Sequence, residues 1–188
     1  IETSASRMRV LIDDLLLFSK TIASKKEFVN TNLNELFDDT IIELTELIEE
    51  KKAAIKFDKL PSLKVVPYQI KQLFINLISN SLKYSRENTK TKIVVNCKKV
   101  ASRSHPDLLD QSLNWYYQFT FTDNGIGFDP QFKKNIFILF QRLHSTSEYA
   151  GTGIGLAICK KIIENHKGVI IADSEPNKGS VFTFFLPI

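Results

Sequence analysis

Residues 70–83 read Ile-Lys-Gln-Leu-Phe-Ile-Asn-Leu-Ile-Ser-Asn-Ser-Leu-Lys. Wound at 100° per residue, Gln72, Asn76, Ser79, Asn80 and Lys83 fall within one arc of about 100°, and Ile70, Leu73, Phe74, Leu77 and Ile78 cover most of the opposite side. The stretch is a helix with one face for a core and one for something polar. Two asparagines one turn apart are a poor choice for a merely solvated face, because Asn forms helices badly and favours caps. Their amide oxygens can complete the octahedral shell of Mg²⁺ when phosphates and waters supply the other ligands. Lys83, on the same arc, offers a point charge to phosphate oxygens. Standing alone, the arc is better read as an ordinary polar face.

Upstream, Pro61 and Pro67 bracket the connection into this helix, and Ala54 to Asp58 reads as a short strand. Asn32 with Glu35 three residues on forms an N-cap and capping pair for another helix, whose core face is Leu33, Phe37, Ile41, Leu44 and Ile48. Thr21 to Glu27, rich in Thr, Ser and Lys, reads as a linker. Before it, Met8, Leu11, Leu15, Phe18 and Ile22 make the seam of a helix from about Ser6 to Ile22, with Ile12 and Leu16 forming a second apolar strip. Two strips suit a four-helix bundle better than one neighbour, so bundle helices from outside this sequence are expected. Packing on the following domain is the simpler alternative.

Downstream, Lys92 to Val100 and Trp115 to Thr122 alternate as two strands of a long hairpin, joined through Ser102, Ser104, Pro106 and Asp107. A helix over Ile154 to Asn165 follows, then strands Val169 to Asp173 and Ser180 to Leu186 around a Pro-Asn-Lys-Gly turn. This order predicts a two-layer α/β sandwich, with helices on one face of a mixed sheet.

Composition narrows the classes. With 188 residues, 43% of them hydrophobic, the chain has enough for a proper core, which excludes a disordered tail, a collagen or a disulfide scaffold. Charge interrupts every apolar run far short of the ~20 residues that a membrane helix needs. Cys97 and Cys159 have no metal-ligand or redox spacing and read as reduced thiols of a cytosolic setting. A formal charge of +4 hints at an anionic partner without pointing to nucleic acid. Lys98, Lys99 and Arg103 could serve a nucleic-acid module, but solvated strand ends explain them better. The sequence opens at Ile1 with no initiator Met or signal peptide, which reads as a piece of something longer.

Two glycine clusters follow the hairpin and precede the next helix. Asp123-Asn-Gly125-Ile-Gly127-Phe128 places a carboxylate at a strand end before two glycines free to take positive φ. Gly151-Thr152-Gly153-Ile154-Gly155-Leu156 runs straight into a helix, where backbone N–H groups and the dipole favour phosphate. It is neither a Rossmann nor a Walker A loop, and no His-Arg-Asp or Asp-Phe-Gly of a eukaryotic-type protein kinase occurs.

Read in order, Asn76 to Tyr84, Asp123 to Gly127, Phe137-Ile-Leu-Phe140-Gln-Arg142-Leu143 and Gly151 to Leu156 resemble the N box, first G box, F box and second G box of sensor histidine kinases. The resemblance covers about residues 28–188, read as the catalytic ATP-binding domain of the gyrase, heat-shock chaperone, histidine kinase and MutL superfamily, with its Bergerat-type fold. Residues 1–25, through Ser6-Arg-Met-Arg-Val-Leu-Ile-Asp-Asp-Leu-Leu-Leu-Phe-Ser19, resemble the second helix of the dimerisation and phosphotransfer bundle. The resemblance implies ATP and Mg²⁺ as cofactors. Asp123 would accept from the adenine amine, Gly127 would let the backbone approach the base, and Gly125 would belong to the same ATP site. Asn80 would bind Mg²⁺ with Asn76 beside it, Lys83 and Arg142 would hold phosphates, and Tyr84 would lie against the nucleotide. Gly151, Thr152, Gly153, Gly155 and Leu156 would cradle it. The stretch from Leu143 to Gly151 would be a lid, anchored by Phe137 and Phe140. The resemblance also implies a response-regulator receiver domain as partner, a homodimer through the bundle in the longer protein, no nucleic acid, an upstream sensor of unknown kind, and a cytoplasmic kinase portion.

Asn76 separates the chemistries within that superfamily. The hydrolases of the resemblance have Glu at this place as general base, and an amide cannot accept the proton. Transfer to an external nucleophile is therefore expected, with Asn76, Lys83 and Arg142 in the catalytic role, since phosphoryl transfer asks mainly for positioning and charge neutralisation. The acceptor histidine should sit on the first bundle helix. None of His105, His144 and His166 does, and His166 reads as a favourable partner of a helix C-terminus. The alternatives are a nucleotide-binding regulatory module without kinase activity and a related ATPase. Two departures from the family pattern are Ile138, where an acid is frequent, and Lys167, where a second Gly is frequent.

Overall fold

The computed structural model describes residues 2–23, 26–105, 108, 115–143 and 151–188. In chain order the elements are α1 (Glu2–Ala23), β1 (Val29–Asn32), α2 (Leu33–Glu43), α3 (Thr45–Glu50), β2 (Ala54–Phe57), β3 (Ser62–Val65), α4 (Pro67–Lys83), β4 (Lys92–Ala101), β5 (Trp115–Asp123), α5 (Gly155–Asn165), β6 (Val169–Glu175) and β7 (Gly179–Pro187). A five-stranded sheet runs β2-β4-β5-β7-β6, and β1 pairs with β3 in a separate two-stranded sheet. The β2–β4 pair is parallel and the other main-sheet pairs are antiparallel, so the sheet is mixed. A parallel pair requires a crossover, and α4 supplies it.

Helices α2, α4 and α5 cover one face. On α4 the expected core face, Ile70, Leu73, Phe74, Leu77 and Ile78, is fully buried, and the polar arc is only partly covered. Phe74 meets Phe37 at 5.2 Å and Phe121 at 5.9 Å between ring centres, while Phe119 and Phe184 stack at 4.8 Å across neighbouring strands. Strand alternation has a consequence for the site. Phe119 and Phe121 face the helices, so Asp123, two residues on, points the same way at the strand's end.

Asn32 caps α2 as expected: its Oδ1 accepts from Asn34 N at 3.1 Å, and its Nδ2 donates to Glu35 Oε1 at 2.8 Å. The single helix expected to run on to Ile48 is instead two, because Leu44 leaves helical geometry at φ −97°, ψ 8°. Strands β1 and β3 were not expected. The long hairpin is present, with Ile93 opposite Asp123 and Ala101 opposite Trp115, although Pro106 and Asp107 of its connection lie outside the described residues.

Helix α1 runs two residues past Thr21, where a linker was expected. Thr21 is buried, and its carbonyl accepts from Gln69 Nε2 at 3.4 Å and Asn165 Nδ2 at 3.0 Å. Leu17 and Phe18 pack against the main core. Met8, Leu11, Ile12, Leu15 and Leu16, the rest of both apolar strips among the described side chains, stay exposed. The helix thus packs on the following domain at its C-terminal end and leaves these five apolar side chains bare. Among the described residues, no helix is long and apolar enough to cross a membrane.

Candidate functional site

Two cavities lie where the polar arc of α4 meets the glycine clusters. The deeper, about 80 Å³, is lined by Asn80, Tyr84, Asp123, Gly127 and Leu156, with Phe128, Ile136, Gln141, Leu143, Ser180 and Phe182. The outer, about 220 Å³, collects Asn76, Asn80, Lys83, Tyr84, Arg142, Gly151, Thr152, Gly153, Gly155 and Leu156, with Val10 and Asp14 from α1. Asn80, Tyr84 and Leu156 belong to both, so the two cavities share a wall.

Asp123 lies at the floor of the deeper cavity and is only 8% exposed. Its Oδ1 accepts from Gly125 N at 2.8 Å and Ser180 N at 3.1 Å, and its Oδ2 accepts from Ser81 Oγ at 3.2 Å. Burial pushes the carboxyl above its ordinary value, and these three donors pull against that rise without cancelling it. A mostly apolar cavity with one fixed acceptor is suited to a planar ring bearing an amine. Gly127 takes φ +64°, and a side chain there would run into the carbonyl of Glu175, so only glycine fits.

In the outer cavity, α5 begins at Gly155 with no side chain capping its first turn, which leaves backbone N–H groups available to an anion. Asn76 is already engaged: its Nδ2 donates to Gly155 O at 3.1 Å, and its Oδ1 accepts from Gln72 Nε2 at 3.0 Å. Among the described residues the Asn80 amide makes no hydrogen bond, and it projects into both cavities. Lys83 Nζ lies 4.4 Å from the centre of the Tyr84 ring and against Gly151, where a side chain would strike it. Arg142 lies along Gly153. Thr152 Oγ1 donates to Asp14 Oδ2, so α1 sets a carboxylate at the rim of a cavity that otherwise offers cations.

Not every expected residue reaches these cavities. Gly125 is spent on the Asp123 turn, where a side chain would strike the Tyr84 carbonyl. Phe137 is buried on the other side of its turn and faces a separate groove. Phe140 is 57% exposed at φ +63°, although its N–H donates to Gly153 O at 3.0 Å and so ties the start of the expected lid to its end. Residues 144–150, which include His144, lie outside the described residues. Sequence reasoning missed Ser81, which faces inward beside Asn80, and Asp14, which looked like one more charge on a bundle helix. Nothing in the one-dimensional pattern links Asp14 to Thr152.

His166 is not a cation at a helix end. It is buried, its Nε2 accepts from Val66 N at 3.0 Å, and its Nδ1 donates to Ile162 O at 2.7 Å, an arrangement that needs the neutral ring. Burial holds its pKa below the ordinary value against the opposing effect of the Ile162 carbonyl. Burial also pushes the Cys159 thiol, beneath Asn76, up to about 12, so that sulfur stays protonated and inert.

The profile of the family described as histidine kinase-, DNA gyrase B-, and HSP90-like ATPase matches residues 65–188. The phytochrome-like protein Cph1 of Synechocystis is 40% identical over 186 residues, which are 99% of this chain and 23% of Cph1. Hybrid signal transduction histidine kinase D of Dictyostelium discoideum is 33% identical, over 100% of this chain and 14% of its own length. Among solved structures, histidine kinase ThkA in complex with response regulator TrrA aligns with a TM-score of 0.67 and 26% identity, covering 99% of this chain and 48% of that one. The chain therefore spans less than a quarter of the two curated relatives.

Proposed function

This chain belongs to the histidine kinase-, DNA gyrase B- and HSP90-like ATPase family, and we propose that it is the catalytic part of a sensor histidine kinase. In this reading, residues 28–188 bind Mg-ATP and deliver its γ-phosphoryl group to a histidine on a bundle helix that this sequence does not contain, for relay to an aspartate of a receiver domain. Residues 1–25 are the second helix of that dimerising bundle. The receiver as partner is supported by the likeness to ThkA, whose structure holds a response regulator. A cytoplasmic place for this portion belongs to the same proposal.

The observation that carries the kinase reading is Asn76. It stands on the cavity wall, donates to Gly155 O and accepts from Gln72, and has no basic atom with which to activate a water. Adenine would enter the deeper cavity, its amine donating to the remaining acceptor capacity of Asp123 Oδ2. Tyr84 would cover its edge. The triphosphate would extend into the outer cavity, where Lys83, Arg142 and the N–H groups of α5 neutralise it and orient the terminal phosphorus.

Magnesium fits the donor set in one way. Among the described residues no three His, Cys, Asp or Glu side chains gather as a cage, so the ion would depend on phosphate oxygens, with Asn80 contributing an amide oxygen. Asn76 could contribute a second only alongside its bond from Gln72. When bound, the ion would supply positive charge that offsets that of the phosphates. The protein's own part is to hold the nucleotide and exclude a general base.

The test mixes the chain with γ-labelled Mg-ATP, alone and with a separately supplied bundle bearing an acceptor histidine. Label should pass to the bundle and not to this chain, with little free phosphate. Rapid phosphate release without the bundle would instead establish an ATPase. Binding of ATP with no transfer to several bundles would favour a regulatory module.

A further inference from the structure

A groove of about 420 Å³ lies on the far side of α5 and shares no lining residue with the two cavities. Ile170, Ile171, Ala172 and Asp173 all line it, and they are consecutive. Successive strand residues point to opposite faces. A groove touching four in a row must run along the strand's edge. β6 is the end strand of the sheet, bonded only to β7, so its outward N–H and C=O groups face that groove.

The opposite edge of the sheet is protected in the usual ways. β2 has four residues and carries Lys56, and Asp58 just beyond it takes up Asn96 Nδ2 and Cys97 N. β6 has seven residues, begins Val-Ile-Ile-Ala, and contains no Lys, Arg or Pro. Its basic groups stand instead on the groove's walls, Lys133 and Lys134 on one side and Lys160 of α5 on the other, above an apolar floor that includes Phe137. Asp173, the one acid there, pairs with Lys133 at 3.6 Å. Lys134 and Lys160 make no ion pair among the described residues.

We propose that β6 is a docking edge for an extended acidic polypeptide segment, which adds to the sheet as a further strand. Its backbone pairs with β6, its alternate apolar side chains rest on Phe137 and Ile170, and its carboxylates reach Lys134 and Lys160. A second copy of this chain is a poor occupant, because two β6 edges laid together would face lysine walls with lysine walls. The proposal does not depend on the nucleotide reading.

The probe is a fluorescent eight-residue peptide alternating Asp and Val, compared with the same peptide carrying Lys for Asp. Anisotropy should detect binding of the acidic peptide alone, and amide hydrogen exchange should slow within residues 169–175. The double variant Lys134→Glu, Lys160→Glu, on exposed side chains, should keep its thermal midpoint and bind the peptide about tenfold more weakly, in line with the loss of two surface ion pairs. Four results would each overturn the proposal: equal binding of the lysine peptide, no binding of either, protection that falls outside β6, or self-association that protects β6 without peptide.

Discussion

Helices α4 and α1 are both amphipathic, yet they end in opposite situations. α4 turns its apolar side into the sheet, where Phe74 is 0% exposed, and keeps its polar arc for the cavities. α1 shows the same kind of apolar side to solvent from Met8 to Leu16, with Leu16 62% exposed, and is held by its C-terminal turn and by the bond between Asp14 and Thr152. Hydrophobic pattern reveals that a helix needs a partner. It does not reveal whether the partner lies in the same sequence. An exposed row of large apolar residues is what a surface looks like when its complement is elsewhere.

The contrast is broken most severely by truncating Phe74. Phe74→Ala should cost about 3–5 kcal/mol in chemical denaturation, the range for emptying an aromatic core site. Next comes the function carried by α4's neighbourhood. Asp123→Asn should weaken ATP binding by about 10- to 150-fold in calorimetry, the worth of a hydrogen bond to a charged acceptor, while the fold persists. Unchanged affinity would remove Asp123 from the nucleotide site.

A gentler effect tests the junction that holds α4 and α5 together. His166 is neutral when folded, with its pKa depressed, whereas the unfolded chain protonates near the ordinary value of 6.5. The unfolded state thus binds more protons below that value. Stability should therefore fall as pH drops through 6.5 and level off below the folded pKa. Thermal midpoints from pH 8 to pH 5 should show the slope, and His166→Leu should remove its share. The smallest effect is on α1: Leu16→Glu should change stability by no more than about 0.5 kcal/mol, as at other exposed sites. The same variant should lower any concentration-dependent self-association seen by sedimentation, and a large loss of stability instead would mean that α1 buries this residue.

Legibility followed sequence distance. The two faces of α4, the cap at Asn32, and Asp123 at the end of an alternating strand could all be read because each depends on residues within a turn or a strand. β1 escaped because Val-Asn-Thr-Asn has no apolar alternation, and its strand exists only through pairing with β3 thirty-odd positions on. The break at Leu44 escaped because the apolar spacing continues across it. The Ser81 to Asp123 bond spans 42 positions and the Thr152 to Asp14 bond spans 138. Such pairs are fixed by the packed layers, which no local period records. Phe140 was expected to anchor the lid with its ring, but its left-handed backbone leaves that ring exposed, a conformation that its residue type does not announce.

The hydrogen bond from Phe140 N–H to Gly153 O has one more consequence, of a polymer kind. It fastens together the two ends of the segment between them, so the distance that segment must span is set by the fold and not by its own length. Doubling the residues in a closed loop costs only ~0.6 kcal/mol in closure entropy. The segment between Phe140 and Gly153 can therefore gain or lose residues at little thermodynamic cost, provided that its two fastened ends are kept.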